Sequence, residues 1–158
     1  MVGKIIIIMG SGSDQPFADT IGSTLKTLGV DFERHVASAH KTPKKLLHML
    51  EEKESVSPIV YITVAGMSNA LSGFVDANTV CPVIACPPIA DAFGFIDIFS
   101  SLRMPKGVCP LVVLQPENAA VAAAKILATA DPELRGRIEA YQTELRRRVE
   151  KDDEKVKD

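Results

Sequence analysis

No excess of basic charge runs through this chain: 18 Lys and Arg stand against 20 Asp and Glu, for a net charge of −2. That excludes the broad basic surface by which a nucleic-acid binder announces itself. Cysteine is scarce as well. Cys81, Cys86 and Cys109 are an odd number with no CxxC pair, so no disulfide framework is indicated, and buried free thiols in a reducing cytosol are expected. No segment approaches the roughly 20 apolar residues that cross a bilayer. The opening "MVGKIIIIMG" is too short an apolar run for a signal-peptide core and has no small-residue cleavage site behind it. A cytoplasmic protein with neither nucleic acid nor membrane as partner is therefore expected.

What the chain does have is a hydrophobic fraction of 46% over 158 residues, enough for one domain with a sizeable core. Repeats and low-complexity linkers are missing, and the organisation is an alternation. Ile5 to Met9 is a β-branched run closed by Gly10, the pattern of a strand buried on both faces. Phe17, Ile21, Leu25 and Leu28 follow at helical spacing, with Asp14 as N-cap, Pro16 in the first turn and Gly29 as the stop. Phe32 to Ala37 reads as a second strand, and Leu46, Leu47 and Leu50 as the face of a second helix before the polar turn "EKESVSP". Ile59 to Ala65 is a third strand, with a short helix expected over Asn69 to Ala77. Val83 to Cys86 makes a fourth strand, closed by Pro87 and Pro88. A helix is expected between Ile96 and Leu102, a fifth strand over Val112 to Leu114, and an alanine-rich helix in "PENAAVAAAKILATA".

Strands and helices in this order predict a three-layer α/β/α fold with a parallel, five-stranded, flavodoxin-like sheet. The domain is taken as 1–158, with an α/β core over 1–131 and a C-terminal helix and charged tail over 132–158. Ile138, Tyr141 and Leu145 form a narrow apolar stripe on that last helix. It ends either as a solvated helix or as an arm against a neighbouring subunit.

In an open parallel sheet, ligands bind beyond the carboxyl ends of the strands. The loops there read "GSGSD", "SAHKT", "AGMSN" and "CPPIAD". The first three are small and polar, so a ligand can approach the backbone closely and an anion can meet the helix start behind them. "GSGSDQ" misses the dinucleotide fingerprint because Gln15 stands at the third glycine position, and no Walker lysine is present. A single phosphate and a sugar fit better, with Asp14 either accepting from sugar hydroxyls or serving only as a helix cap. No metal-ligand spacing and no nucleophile elbow occur. His35 lies on a strand beside Glu33, and His48 on a charged helix; both read as structural. His40 sits in the mouth, next to Lys41, where a proton-transfer group and a cation for a phosphate would be useful. A packing role for His40 stays open on position alone. Lys44 and Lys45 are expected to face solvent.

Read together, "MGSGSD", "SAHKT", "AGMSNALSGF", "ACPP" and "SSLRMP" resemble, in order and spacing, the catalytic subunit of phosphoribosylaminoimidazole carboxylase, an enzyme family of purine biosynthesis. The resemblance runs from about Ile5 to Ile126. The family has two kinds. Mutases move a carboxyl group from the exocyclic amine of the ribonucleotide to a ring carbon and typically read "SAHRTP" and "AGGAAHLPGM". Direct carboxylases join carbon dioxide to the aminoimidazole ring. Lys41 in place of arginine and Ala70 in place of a second histidine resemble the direct kind, while the threonine and proline of "SAHKTP" occur in both.

The resemblance implies that Ser11, Ser13 and Asp14 line the ribose-phosphate site. It implies that Ser38 and Lys41 help hold the phosphate and that Ala39 contacts substrate through its backbone. Gly66 and Ser68 would approach the imidazole, Asn69 would shape the pocket, and His40 would transfer the proton. The implied reaction needs no ATP, biotin or other cofactor; Pro87, Pro88 and Ile89 could form apolar walls for the gas. The implied assembly is a homo-octamer. Two other readings remain, the mutase and a nucleotide- or flavin-binding module without turnover.

Overall fold

Four consecutive isoleucines, Ile5 to Ile8, are fully buried in strand β1 (Lys4–Met9). A strand sends alternate side chains to opposite faces, so a β-branched run buried throughout must be covered on both sides. In the computed structural model, which describes residues 3–53, 58–89 and 94–157, it is covered by two separate apolar layers. Ile5, Ile7 and Met9 pack with Val60, Ile62 and Val64 of β3 (Ile59–Val64) under helices α1 (Gln15–Thr27), α5 (Pro116–Leu127) and α6 (Pro132–Lys155). Ile6 and Ile8 pack with Ile59 and Tyr61 under α2 (Pro43–Lys53) and α3 (Leu71–Ala77). Each buried isoleucine contributes about 2 kcal/mol of transfer free energy.

The remaining strands are β2 (Phe32–Val36), β4 (Val83–Ala85) and β5 (Leu111–Val112), and the sheet order is β2-β1-β3-β4-β5, all parallel. The chain therefore leaves β1 to one side for β2 and to the other for β3, which puts the reversal of strand order at β1/β3. Met9 is in register with both Val36 and Val64. Gly10 N–H donates to Val64 O and Ala37 N–H to Met9 O, each at 2.9 Å. The three loops that follow β1, β2 and β3 thus leave the sheet at one level.

Helix α1 stops where glycine permits it. Gly29 takes φ +64°, its N–H donates to Lys26 O, and Val30 N–H donates back to Leu25 O, the paired bonds of a Schellman ending. Helix α6 is capped by Asp131, whose carboxylate accepts from Leu134 N–H at 2.9 Å. Leu134 and Ile138 bury against the core while Leu145 stays exposed, so only the first part of the expected stripe finds cover within the chain.

Several boundaries differ from the sequence reading. α3 begins at Leu71 rather than Asn69, because the Asn69 side chain accepts from Ser72 N–H and ends the loop. The 96–102 segment is a 3₁₀ turn (Ile96–Ile98) followed by a single α-turn, α4 (Phe99–Leu102). β5 runs over Leu111–Val112 rather than 112–114. Asp14 does not cap α1; its side chain turns back to the preceding loop. The thiols are not uniformly buried: Cys86 is, Cys81 is half-buried and Cys109 is exposed. Most of the expected polar turn "EKESVSP", and the end of the "CPPIAD" loop, lie outside the described residues. Among the described residues no helix is long and apolar enough to cross a membrane.

Candidate active site

The three loops at the β1/β3 end enclose a cleft of about 570 Å³, within the range of small-molecule sites. From the loop after β1 come Gly10, Ser11, Ser13 and Asp14; from the loop after β2, Ser38, Ala39, His40 and Lys41; and from the loop after β3, Ala65 to Ser68, with Ala70 and Leu71. Pro88 closes one side.

The first two loops are each held by their own short polar bonds. In the first, Ser11 caps a 3₁₀ turn (Gly12–Asp14): Ser13 N–H and Ser13 Oγ both donate to Ser11 Oγ, at 3.3 and 2.9 Å. Asp14 returns the bond by accepting from Ser11 N–H at 2.9 Å. This reciprocal box fixes the Asp14 carboxylate in the cleft wall. Burial pushes its pKa above the ordinary 3.8, against the opposing pull of the Ser11 N–H. In the second loop, Ser38 N–H donates to Thr42 Oγ1 and Thr42 N–H to Ser38 O, both at 2.9 Å, while Lys41 N–H donates to Ser38 Oγ at 3.2 Å. The turn closes on itself, and His40 and Lys41 project from it as exposed side chains. Lys45 reaches back from α2 to donate to Val36 O at 2.9 Å, which ties the helix start to the strand end. In the third loop, Gly66 is required by space: a Cβ there would fall 2.7 Å from the Pro88 carbonyl oxygen.

The histidines separate cleanly. His35 Nε2 lies 3.2 Å from Glu33, and His48 lies within 3.9 Å of Glu51 and 3.2 Å of Glu52. Neither lines the cleft. His40 does, and among the described residues no hydrogen bond or ion pair occupies its ring. Both ring nitrogens are therefore free to meet a ligand. Beside it stand one carboxylate (Asp14) and one ammonium (Lys41), together with serine hydroxyls. A base, a cation and an acceptor for hydroxyls, arranged around small residues, can bind a phosphorylated sugar and move a proton on what it carries.

Of the residues singled out in the sequence, Ser11, Ser13, Asp14, Ser38, Ala39, His40, Lys41, Gly66 and Ser68 come together in the cleft lining. Asn69 does not join it. Its side chain is buried, donating to Ser101 Oγ at 2.9 Å and accepting from Ser72 N–H at 3.3 Å. Of the three expected apolar walls, Pro88 lines the cleft, whereas Pro87 is buried and Ile89 lies outside the lining. Met67, Ala65 and Leu71 line it too and carry no signal as single residues; their place after a buried strand was the only pointer. The contacts of Ser100 and Ser101 to the third loop span 31 to 33 residues of sequence, and no local pattern shows them. No group of His, Cys, Asp or Glu side chains among the described residues could hold a metal ion.

Residues 4–148 match the family model described as AIR carboxylase. A phosphoribosylaminoimidazole carboxylase of Archaeoglobus fulgidus is 52% identical over 98% of this chain and 85% of its own length. One of Treponema denticola is 46% identical, covering 97% of each chain. The crystal structure of Treponema denticola PurE superposes with a TM-score of 0.96 at 45% identity, covering 99% of both chains. Family model, near full-length relatives and fold agree, and the chain belongs to the AIR carboxylase family.

Proposed function

We propose that this chain carboxylates 5-aminoimidazole ribonucleotide directly with carbon dioxide, giving 4-carboxy-5-aminoimidazole ribonucleotide for purine biosynthesis. The observation that carries the reading is the His40 imidazole, without a partner among the described residues and set beside Lys41, Asp14 and serine hydroxyls in one cleft. An aminoimidazole carbon is enamine-like and nucleophilic. Its enamine π pair forms a carbon–carbon bond to carbon dioxide, one C=O π pair of the carbon dioxide moves onto oxygen, and the ring is left as an iminium. The ring carbon then bears both a hydrogen and the new carboxylate. His40 removes that proton, the C–H electrons return to the ring, and aromaticity is restored. In the reverse direction the imidazolium delivers the proton and carbon dioxide leaves. A base placed within reach of the carbon is all the proton transfer requires.

In this reading Ser11, Ser13 and Asp14 hold the ribose and phosphate. Lys41 and Ser38 bind the phosphate, and the Ala39 backbone faces the nucleotide. Gly66 and Ser68 flank the imidazole, and Pro88 supplies an apolar wall near the ring. Asn69 acts through its hold on the loop rather than by contact. Direct carboxylation rather than carboxyl migration is favoured by Ala70 in the lining, which leaves one imidazole where the mutase pattern has two, and by Lys41 in place of arginine. A homo-octamer working in the cytoplasm belongs to the same reading. Its support is the exposed apolar side chains Phe95, Ile96, Phe99 and Leu102 between β4 and β5 and Leu145 and Val149 on α6, of the kind that mark association when they cluster. A monomer by light scattering at micromolar concentration contradicts that part.

The deciding assay omits ATP and offers either aminoimidazole ribonucleotide with dissolved carbon dioxide or the amine-carboxylated ribonucleotide. Turnover of the first alone is expected. Turnover of the second alone makes the chain a mutase, and turnover of neither returns it to a binding module.

A further inference from the structure

The loop after β3 bends against its own residue preference. Met67 holds φ +57°, the left-handed region, where the chain has no glycine. A side-chain-bearing residue persists there only when its surroundings over-determine it. Here the surroundings arrive from 31 to 33 residues further on. Ser100 Oγ accepts from Asn69 N–H at 3.0 Å. It also lies 3.0 Å from Met67 O and 2.8 Å from Asp97 O, and its one proton serves these two carbonyls. The neighbouring Ser101 Oγ accepts from Asn69 Nδ2 at 2.9 Å, and Asn69 Oδ1 accepts from Ser72 N–H at 3.3 Å. The two backbone atoms of this loop that Ser100 grips, Met67 O and Asn69 N–H, flank a single residue, Ser68, which lines the cleft. Ser100 itself does not line it.

We propose that Ser100 is a positioning residue for the carboxylation: its hydroxyl clamps the Met67–Asn69 turn, so that Ser68 and the backbone after Gly66 meet the imidazole ring in one arrangement. The assignment rests on the reading under Proposed function for its reaction, and on hydrogen bonding alone for the clamp. A catalytic geometry loosened by about 1 Å loses on the order of 10²-fold in rate. Phosphate and ribose are held by the other two loops, so the loss falls on turnover and not on nucleotide binding.

Three enzymes are compared: wild type, Ser100→Ala and Ser100→Thr, the last keeping a hydroxyl. With aminoimidazole ribonucleotide and dissolved carbon dioxide, Ser100→Ala is expected to lose about 10- to 100-fold in kcat, with KM for the nucleotide within about threefold of wild type. Ser100→Thr is expected to recover most of the loss. Amide exchange provides a readout independent of activity: the peptide bearing Asn69 N–H should exchange at least about tenfold faster in Ser100→Ala, while β1 and β3 keep their protection. An unchanged kcat, a loss carried by KM, a threonine variant no better than alanine, unchanged exchange at Asn69, or faster exchange throughout the sheet would each overturn the clamp. If wild type itself shows no turnover, the functional reading fails, and local exchange at Asn69 still decides whether Ser100 holds the loop.

Discussion

Replacing His40 with asparagine separates catalysis from folding. The side chain is exposed and without a hydrogen-bond or ion-pair partner among the described residues. Its removal therefore creates no cavity and orphans no buried group, and surface changes of that kind stay within about 0.5 kcal/mol of stability. For a chain this long that is a shift in Tm of about 2 °C or less. The rate responds differently. A positioned base is worth about 10²- to 10⁴-fold, and the other titratable groups of the cleft lining among the described residues are Asp14, engaged by Ser11 N–H, and Lys41, which offers an ammonium for the phosphate. A kcat loss near the middle of that range, about 10³-fold, corresponds to about 4 kcal/mol of transition-state stabilisation. Nucleotide affinity should hold within about threefold, since the phosphate and ribose contacts are untouched. The assay pairs steady-state carboxylation with differential scanning fluorimetry and equilibrium binding of the nucleotide. A kcat within fivefold of wild type would refute proton transfer by His40. So would a Tm loss above about 6 °C, which would identify a structural histidine.

Lys41→Ala should raise KM for the nucleotide about tenfold with little change in kcat, because a half-solvated ion pair to phosphate contributes about 1 to 2 kcal/mol; an unchanged KM contradicts the phosphate role. Asp14 carries a pKa raised by burial above 3.8, so nucleotide affinity should fall as pH drops through that raised value, where the carboxyl stops accepting from sugar hydroxyls, and Asp14→Asn should abolish that pH dependence in calorimetric titrations. Glu33, held by Lys4, Lys53 and His35, has its pKa lowered to about 2. A carboxylate depressed in the folded state contributes stability above its ordinary pKa and loses it as pH falls from about 4.5 to about 2. The urea midpoint should decline across that window, and Glu33→Gln should flatten the decline. Gly66→Ala drives a Cβ to 2.7 Å from the Pro88 carbonyl, a contact with backbone that cannot swing aside; kcat should drop at least about tenfold, and wild-type kinetics would show the loop to be softer than its packing implies.

The strands, helices and mouth of this protein were legible in the sequence because each rests on short-range physics. The runs Ile5–Met9 and Ile59–Val64, dominated by β-branched residues, read as strands covered on both faces, and a parallel sheet then delivers three small-residue loops to one end. Nine of the ten residues chosen from those loops line the cleft. What the sequence could not decide is which of several possible partners each polar side chain takes. Asp14 has the residue type of a helix cap, yet its carboxylate accepts from Ser11 N–H in the box that closes the preceding 3₁₀ turn and so lines the cleft instead of capping α1. Asn69 follows serine in a polar loop, yet Ser101 draws it into the interior. His35 and His48 meet glutamates only two to four residues away, which the sequence already suggested, whereas only the fold shows that His40 lies in the cleft lining with no partner among the described residues. Local periodicity is written within about ten residues, whereas a hydrogen bond between Asn69 and Ser100 spans 31 and exists only once the sheet has brought the two segments together.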